Sequence, residues 1–365
     1  GPALGGTALN GFEAETYRSS VIHPISDSRW AYFASRHPAA TVFHQPAWLS
    51  AILDTFRYEP RFHVLENDRR EIVAAWPTML VRSRLTGSRL VCLPFCHRAG
   101  PLIVSEDQSE RLFLALVEDA RRLQVPSIEA RDWPAGTSPP GLLQRVNLYR
   151  THVLDLEPGR EAVLSALHQG MRRSIRRSQR RGVTVRMATT RQDFETFYWL
   201  YVRQRKEQGV LPQPHQFMQL MYRNLLERGN GFLVLGEHEG SPVAGLLAVG
   251  HGTTATWTHS GAAAGARDLV AGPLVLWKSV EVACERGYSQ FDLGRTAADD
   301  AGLLRYKQQW GVEVRDLPYY YYGRPSGANV VEPDGLRKLL LAGYTRVAPE
   351  PLLVALSLPM YRHLG

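Results

Sequence analysis

The chain has 365 residues, enough for two domains or one large one. Its apolar content of 44% and charged content of 21% are ordinary for a globular protein, and it has no run of about eighteen apolar residues that would predict a membrane-spanning helix. The net charge is +8, and six of the eight excess positive charges are arginines within one ten-residue stretch. The basic character is therefore a local feature.

The three cysteines (Cys92, Cys96 and Cys284) form no paired framework, which favours a reducing compartment. The first fifteen residues lack the basic segment and the apolar stretch of a secretory signal. Together these features predict a cytoplasmic location. Cys92, Cys96 and His97 are close in sequence, but one such cluster is a weak metal signal. We therefore expect no metal site and interpret the two thiols as buried structural groups.

Hydrophobic periodicity and turn residues predict a mixture of helices and strands in the first part of the chain. Ser26 or Asp27 is the expected N-cap of the first helix, and Pro46 lies in the first turn of the second. The expected elements are helices over 23–37 and 41–56, a hairpin over 61–83, a strand over 89–95, a helix over 107–123 and a strand over 126–133.

A similar order of elements returns about 170 residues later. The second set comprises helices over 191–208 and 213–228, a hairpin over 231–250, a strand over 253–262, a helix over 272–287 and a strand over 289–294. We interpret the chain as two copies of one α/β (α+β) unit, each with a mixed, mostly antiparallel sheet flanked by helices. The boundary is expected near residue 150.

Residues 160–182 predict a basic amphipathic helix between the two units. Its apolar side is expected to consist of Leu164, Leu167, Met171, Ile175 and Ser178, which fall within roughly 80° on a helical wheel. The opposite side carries Arg172, Arg173, Arg176, Arg177, Arg180 and Arg181. These arginines repel one another in the absence of interleaved acids. The pattern favours binding of a polyanion, either a nucleic-acid backbone or phosphates; the alternative is a solvated helix face.

The stretch from Phe291 to Tyr322 carries the residue types of an active site. It predicts a buried strand ending in Asp292, a polar turn, a short helix with Tyr306 and Lys307, and a tyrosine-rich strand. Lys307 is one of only four lysines, and a lysine beside a strand end can stabilise a developing oxyanion. The alternative is a solvated helix residue.

Two further residues are candidates from their positions near strand ends. Asp292 could hold an amine or orient Arg295; capping of the following turn is an equal alternative. His259, near the end of the strand over 253–262, could act as a base, although a lone histidine is more often structural.

Three features together resemble the Fem-type (FemA/FemX-like) transferases of the GNAT superfamily. They are the arginine helix leading into Gly182-Val183, the hairpin and strands after it, and the sequence FDLGR…RYKQQWG. The phrases TVFHQPAWLSAIL and SRLTGSRLVCLPFCHRAGPL are similar to a Fem-like branch found in bacterial polysaccharide and cell-envelope gene neighbourhoods. The resemblance runs from Trp30 to about Pro318. It implies GNAT-like domains at 13–150 and 151–325, followed by a helical tail at 326–365.

In this family, members transfer an amino acid from aminoacyl-tRNA to the free amine of a peptidoglycan-precursor peptide or a natural product. The resemblance implies that Tyr306-Lys307 is the family's aromatic–lysine pair, with Lys307 stabilising the tetrahedral intermediate and Tyr306 shaping the pocket or relaying a proton. It also implies that the arginine helix contacts tRNA phosphates and that Arg203 or Arg205 faces an anionic substrate. We expect no cofactor other than the aminoacyl-tRNA co-substrate.

The chain departs from its relatives at two points. Tyr306 stands where the family often has phenylalanine. Ordinary GNAT enzymes have an acyl-CoA pyrophosphate turn of the form Arg/Gln-x-x-Gly-x-Gly/Ala, but the fourth residue counted from Arg267 is Val270. This lowers the expectation of acyl-CoA without excluding it.

Three functions therefore remain open from the sequence. The first is tRNA-dependent amide formation. The second is acyl-CoA-dependent N-acyl transfer to an amino sugar or polysaccharide-related amine. The third is a non-catalytic nucleic-acid-binding protein, which has no need of Lys307 and Asp292. No triad spacing appears, so an enzyme of this kind is expected to use direct attack by a small-molecule or peptide amine. The tail is expected to pack on the body, with a weak membrane-surface contact as the alternative.

Overall fold

The computed structural model describes residues 17–323 and 342–365, whose strands form one twelve-stranded sheet. The strands are β1 (Arg18–Ile22), β2 (Glu59–Glu66), β3 (Ile72–Val81), β4 (Arg89–Val91), β5 (Ser127–Arg131), β6 (Gln144–Asp155), β7 (Val183–Met187), β8 (Gly231–His238), β9 (Ser241–His251), β10 (Thr254–Ala262), β11 (Gln290–Ala297) and β12 (Glu313–Gly323). Their spatial order is β1-β2-β3-β4-β5-β12-β6-β11-β10-β9-β8-β7.

Helices cover both faces of this sheet. They are α1 (Ser28–Arg36), α2 (Pro46–Phe56), α3 (Glu106–Arg122), α4 (Arg160–Ala166), α5 (Gln169–Arg180), α6 (Arg191–Glu207), α7 (His215–Met221), α8 (Ala266–Leu269), α9 (Ala271–Glu285), α10 (Ala301–Gln308) and a C-terminal helix (Glu350–Leu364). Asp27 is the N-cap of α1, and its side chain accepts a hydrogen bond from the Arg29 N–H. The α/β fold with a mostly antiparallel sheet is confirmed.

The two halves of the sheet follow the same plan. Each contains one parallel pair, β4 with β5 in the first half and β10 with β11 in the second, and the other pairings are antiparallel. Each half is completed by a strand from the other part of the chain. The first half ends with β12, the second ends with β6, and these two long strands pair with each other at the centre.

The predicted boundary near residue 150 falls inside β6 and not in a linker. Residue Arg150 is paired with Asp316 of β12 on one side and with Thr296 of β11 on the other. A cut at this position would divide a strand that holds both halves of the sheet together. The assignment of domains to 13–150 and 151–325 stays a prediction, but the structure provides no free connection there.

Three main clusters of apolar side chains stabilise the fold. One packs α3 against β2–β5, and a second packs α5 and α9 against the other half of the sheet. The third joins α1 and α2 of the first half to α6 and α7 of the second, and it includes Leu353 and Tyr361 of the C-terminal helix. The halves thus share a core, and the described part of the tail packs on the body as expected.

The basic segment is two helices and not the single one predicted over 160–182. The backbone is extended at Leu167 and His168, and the His168 ring then accepts a hydrogen bond from the Gly170 N–H to begin α5. The phase of the apolar face changes at this break. Val163 is buried in α4, whereas Leu164 is 36% exposed and does not belong to the buried face.

Three strands were not predicted, namely β1, β6 and β7. The first seven residues of β6 are polar or half-buried, so this strand gives no apolar run in the sequence. The predicted strand over 89–95 ends at Val91, and the strand predicted to end at Asp292 continues to Ala297. No helix within residues 17–323 and 342–365 is long and apolar enough to cross a membrane.

Candidate active site

A cavity of about 440 Å³ opens where the parallel strands β10 and β11 separate. The two strands are paired only from Thr254 to Thr256 and from Gln290 to Asp292. Beyond this point each strand has an irregularity in its register, between Trp257 and His259 in β10 and after Asp292 in β11. The backbones diverge there, and side chains of both strands line the space between them.

Parts of the chain that are far apart in sequence line this cavity. The first half contributes aromatic residues of α2, of the segment before it and of the loop after β4. Helix α6 and the C-terminal helix close the other side. The residues that line the cavity include Phe43, Trp48, Phe95, His97, Gln204, Arg205, Trp257, His259, Gly294, Arg295, Lys307 and Tyr361. Among the residues that the structure describes, the lining includes several cations and no carboxylate, so it favours a ligand with negative or developing negative charge.

Gly294 organises the polar groups at the floor of the cavity. Its φ of +73° lies in the left-handed region that favours glycine, and this turn of the backbone directs its two peptide groups to different partners. The Gly294 N–H donates to Asp292 Oδ1 at 2.8 Å. The Gly294 carbonyl accepts from Lys307 Nζ at 3.0 Å. One residue therefore fixes both charged side chains.

Lys307 is buried, with 2% of its surface exposed, and it lines the cavity. Its ammonium donates to the carbonyls of Gly294 (3.0 Å) and Arg295 (3.2 Å) and lies 5.8 Å from the centre of the Trp257 ring. An ammonium has three donors, so one remains for a ligand. Burial lowers the pKa of Lys307 to about 8, although the negative charge of Asp292 acts to raise it. The alternative of a solvated helix residue is wrong.

Asp292 lies behind the cavity wall and is almost fully buried. Its carboxylate accepts hydrogen bonds from His97 Nε2 at 3.0 Å, from Thr151 Oγ1 at 3.2 Å and from the Gly294 N–H. Burial alone would raise the pKa of Asp292, but His97, Arg98 and this N–H hold it well below its usual value. The expected contact of Asp292 with Arg295 does not occur among the described residues; its partner is His97.

His97 reaches the cavity from a strained loop after β4. Leu93 and Phe95 have φ values of +45° and +64°, and each such non-glycine conformation costs roughly 1–3 kcal/mol. The buried Arg131 stabilises this backbone by donating to the carbonyls of Leu93 (3.3 Å) and Cys96 (3.1 Å). From the sequence alone, His97 was noted only as part of a weak metal cluster with Cys92 and Cys96, since nothing local connects His97 to Asp292.

A polar region lies against α6 at one side of the cavity. His259 Nε2 donates to Gln213 Oε1 at 2.7 Å, and burial next to Arg205 lowers the pKa of His259 to about 3, so the ring is neutral. Three buried atoms of the lining have no hydrogen-bond partner among the described residues: Gln204 Oε1, Arg205 Nε and His259 Nδ1. Unpaired buried polar groups are unfavourable, so this region fits a polar ligand.

The structure separates the expected substrate-binding arginines. Arg205 and Arg295 line the cavity. The guanidinium of Arg295 stacks over Tyr149 at 4.3 Å and donates to the Tyr319 hydroxyl. Arg203, two residues before Arg205 on α6, is instead on the solvent side and forms an ion pair with Glu350 at 3.3 Å. Of the two alternatives on α6, the cavity therefore contains Arg205.

Tyr306 does not line the cavity. Its ring packs against Trp310 in the core of the second half, with ring centres 6.4 Å apart. Burial raises the pKa of the Tyr306 hydroxyl to about 12. Successive residues of a helix point about 100° apart, so with Lys307 facing the cavity its neighbour enters the core. The expected roles in shaping the pocket or relaying a proton gain no support from this position.

The six arginines of the basic segment also lie outside the cavity lining. Met171, Ile175 and Ser178 bury one face of α5 against α9. Arg172 is half-buried and donates to the Ser165 carbonyl at 2.9 Å. The exposed members are Arg173, Arg176, Arg177, Arg180 and Arg181. The expected arginine surface is therefore present on a helix next to α9, the helix that follows β10.

The two thiols near His97 are buried, as expected. Burial raises the pKa of Cys96 to about 12, and the Cys92 thiol donates to the Ala99 carbonyl. Within residues 17–323 and 342–365, no group of three or more histidine, cysteine or acidic side chains is arranged to hold a metal ion.

Part of the second half matches a known family model. Residues 165–308 match the family model described as the acetyltransferase (GNAT) domain. This range includes β7 to β11, the cavity wall between β10 and β11, and Lys307. No curated protein matches the sequence.

Solved structures extend the likeness to most of the chain. A crystal structure of FemX has a TM-score of 0.67 at 14% identity, covering 84% of this chain and 97% of that one. A tandem GNAT protein from the clavulanic acid biosynthesis pathway has a TM-score of 0.51 at 14% identity, with coverages of 85% and 99%.

A third solved structure has a similar fold. It is the C-terminal domain of a protein described as a lysylphosphatidylglycerol synthetase from Agrobacterium fabrum, with a TM-score of 0.52 at 14% identity and coverages of 81% and 91%. At this level of identity the likenesses concern the fold. They confirm the expected resemblance to Fem-type proteins with tandem GNAT-like units.

Proposed function

We propose that the chain is an amide-forming N-acyltransferase whose reaction takes place in the cavity between β10 and β11. The observation that carries this proposal is the buried Lys307, whose ammonium has two N–H groups bound to the Gly294 and Arg295 carbonyls and one left over. No carboxylate in the described part of the chain lines the cavity beside this ammonium. A donor fixed in this way suits negative charge that develops on a reacting carbonyl.

The reaction would begin when a neutral amine attacks the carbonyl carbon of an ester or thioester. The carbonyl oxygen becomes negative in the tetrahedral intermediate, and the free N–H of Lys307 would donate to it. Because the lysine is held by two backbone carbonyls, little reorganisation is needed as the charge develops. Collapse of the intermediate forms the amide and breaks the bond to the leaving oxygen or sulfur.

The aminoacyl ester of a tRNA is the donor that we favour. Two observations support it: the five exposed arginines on α5 and at its C-cap, which suit a phosphate backbone, and the likeness in fold to FemX. The turn before α9 also differs from an acyl-CoA turn. It consists of the short helix α8 followed by Val270, which has a φ of +57°, a conformation that is rare for a β-branched residue.

Acyl-CoA is the second candidate donor. The matching family model is described as an acetyltransferase domain, and its match includes the turn between β10 and α9. The reaction in the cavity would be the same, with a thioester in place of an ester. In either case Arg205 and Arg295 would bind an anionic group of a substrate, and the acceptor would be a small-molecule or peptide amine. Charged tRNA and acyl-CoA are cytoplasmic compounds, so we place the reaction in the cytoplasm.

A direct donor comparison tests this proposal. The protein is incubated separately with a mixture of charged tRNAs and with a panel of acyl-CoA thioesters, each together with amino sugars, amino acids and cell-wall peptides as acceptors. Mass spectrometry then detects new amides. We expect products from charged tRNA. Products from acyl-CoA alone would assign the second donor, and no amide with either donor class would contradict an acyltransferase function.

A further inference from the structure

The His97 ring and the Asp292 carboxylate form a pair at the floor of the cavity. His97 Nε2 lies 3.0 Å from Asp292 Oδ2, so this ring nitrogen carries the hydrogen and donates it to the carboxylate. Asp292 is fixed in turn by Thr151 of β6 and by the Gly294 N–H. The ring also packs edge-on against Phe43, with ring centres 5.0 Å apart. Its orientation is therefore fixed by its contacts with Asp292 and Phe43.

The second ring nitrogen of His97 is available to a ligand. His97 belongs to the cavity lining, whereas Asp292 does not. Nε2 is used by Asp292, and within the described part of the chain Nδ1 has no hydrogen-bond partner. Nδ1 is not one of the fully buried polar atoms that lack a partner, so it is accessible. The nitrogen with a free lone pair is thus the one that a substrate in the cavity can reach.

Backbone strain gives an independent reason to expect a function for His97. Leu93 and Phe95, which lie four and two residues before His97, both have left-handed φ values. The buried ion pair between Arg131 and Glu129, 2.6 Å apart, supports these residues from behind through the Leu93 and Cys96 carbonyls. Such conformations persist only where the surroundings enforce them, and they cluster at functional sites.

We infer that His97 is the general base of the reaction and that Asp292 is its positioning residue. This inference rests on the proposed acyltransferase function. After the neutral amine has attacked and the C–N bond has formed, His97 Nδ1 accepts one proton from the amine nitrogen. When the bond to the leaving ribose oxygen breaks, that oxygen departs with the electron pair and receives the proton from the imidazolium. Lys307 stays protonated throughout, so the base and the oxyanion donor are separate groups on either side of Gly294.

The groups that influence the ionisation of His97 come from several elements. Asp292 of β11 contacts the ring, and Arg98 lies 3.8 Å from the same carboxylate. Across the cavity are the cations Lys307, Arg205 and Arg295. The carboxylate stabilises the imidazolium, and the cations oppose it. Removal of Asp292's charge should therefore slow proton transfer to His97.

The test compares pH–rate profiles of the wild-type protein with those of His97→Gln and Asp292→Asn, with the donor and acceptor found for the wild type. In His97→Gln we expect kcat to fall by about 10²–10⁴-fold, with KM changed by less than about threefold and the acidic limb of the profile lost. In Asp292→Asn we expect a smaller fall in kcat with little change in KM, because the ring loses the carboxylate that holds Nδ1 as the acceptor. Added imidazole should restore part of the activity of His97→Ala.

A second histidine–aspartate pair in the chain provides a matched control. His63 of β2 lies 3.2 Å from Asp119 and is also buried, but it is outside the cavity. His63→Gln should leave kcat and the pH profile unchanged. Circular dichroism and thermal unfolding establish whether each variant is folded. If His97→Gln does not fold, imidazole rescue of His97→Ala provides the test instead.

The outcomes separate the two proposals. A wild-type protein that forms no amide contradicts the acyltransferase function, and the role of His97 fails with it. An active wild type together with a folded His97→Gln variant that keeps its rate and its acidic limb overturns only the general base. The general base is also overturned if imidazole does not rescue His97→Ala and His97→Gln keeps the acidic limb.

Discussion

Burial of the Lys307 ammonium works against the stability of the fold. Burial lowers its pKa from 10.5 to about 8, and one pKa unit corresponds to about 1.4 kcal/mol. Below pH 8 the folded protein therefore carries an unfavourable term of up to about 3 kcal/mol. This term decreases as the pH rises from 8 to 10.5, because the unfolded chain then binds more protons than the folded one. A residue kept under these conditions is expected to serve a function.

The first prediction follows from this unfavourable contribution of the buried Lys307 charge. Lys307→Met removes the buried charge, so the variant should be at least as stable as the wild type at pH 7, by up to about 3 kcal/mol. The difference should decrease towards pH 10.5. Urea unfolding at a series of pH values measures it. Lys278→Met, which removes a partly exposed lysine of α9, is the control and should change stability little. A strongly destabilised Lys307→Met variant would contradict the account of the lysine's burial.

The second prediction distinguishes two arginines of the same helix. Arg205→Gln should raise the KM of the anionic substrate by about tenfold or more, because it removes a cation from the cavity lining. Arg203→Gln removes the same charge two residues away, on the solvent side, and should leave KM within about twofold. Steady-state kinetics with both substrates varied provides the measurement. Equal effects of the two changes would mean that general charge, and not the site, attracts the substrate.

For single residues, the sequence predicted which side chains belong to the site better than it predicted their contacts. Lys307 was identifiable because lysine is rare in this chain and this one follows a predicted strand that contains Asp292 and Gly294 near its end. The neighbouring Tyr306 shared the motif, but helix geometry takes it into the core. His97 was not identified, since it lies 195 residues from Asp292 and no local pattern connects two such distant positions.

Among the elements, α5 and the pair β10–β11 are the ones to which the proposed function assigns substrate binding. The arginine surface of α5 was predictable from composition and helical spacing, because charge at a period of 3.6 residues needs no tertiary information. The break before α5 was not, since Leu167 and His168 carry no breaker signal. The separation of β10 from β11 depends on backbone irregularities, of which Gly294 was the only visible sign.

The third prediction concerns the arginine surface of α5. Changing Arg173, Arg176 and Arg177 to glutamate should weaken binding of charged tRNA by about 100-fold or more at low salt and reduce the slope of affinity against salt. The fold should be retained, since all three side chains are exposed. Filter binding over a range of salt concentrations gives both quantities.

The control reverses three exposed arginines of the first half. Arg69, Arg84 and Arg121 are all exposed on other elements, so their change to glutamate alters net charge by the same amount. Affinity should then fall much less than with the α5 variant. Identical losses from both triple variants would show that net charge, and not α5, determines tRNA binding.

For the molecule as a whole, exchange of the last strands is the dominant feature of the architecture. β6 completes the half-sheet that contains β7 to β11, and β12 completes the half-sheet that contains β1 to β5. The sequence predicted the repeated unit, because helices and hairpins recur in the same order. It did not predict the exchange, because pairing between distant strands leaves no local pattern and β6 lacks an apolar run.

The fourth prediction uses this exchange. Two co-expressed fragments divided after Gly141, in the exposed segment before β6, should assemble into a folded complex that purifies as one species. Division after Arg150 cuts β6 between its partners on both sides, so those fragments should aggregate or remain apart. Co-purification and circular dichroism report the result. Independent folding of fragments 1–150 and 151–365 would contradict the shared sheet and core.

The measurement closest to the central claim is amide formation by the wild type and by Lys307→Met, with equal amounts of folded protein and the same labelled donor. If the cavity between β10 and β11 is the site of acyl transfer, the wild type should form labelled amide and the variant should be slower by about 10²–10³-fold, the size expected for loss of an oxyanion donor. Donor binding should be little changed, because the arginines of α5 remain. A folded Lys307→Met variant that forms amide at the wild-type rate would contradict the account.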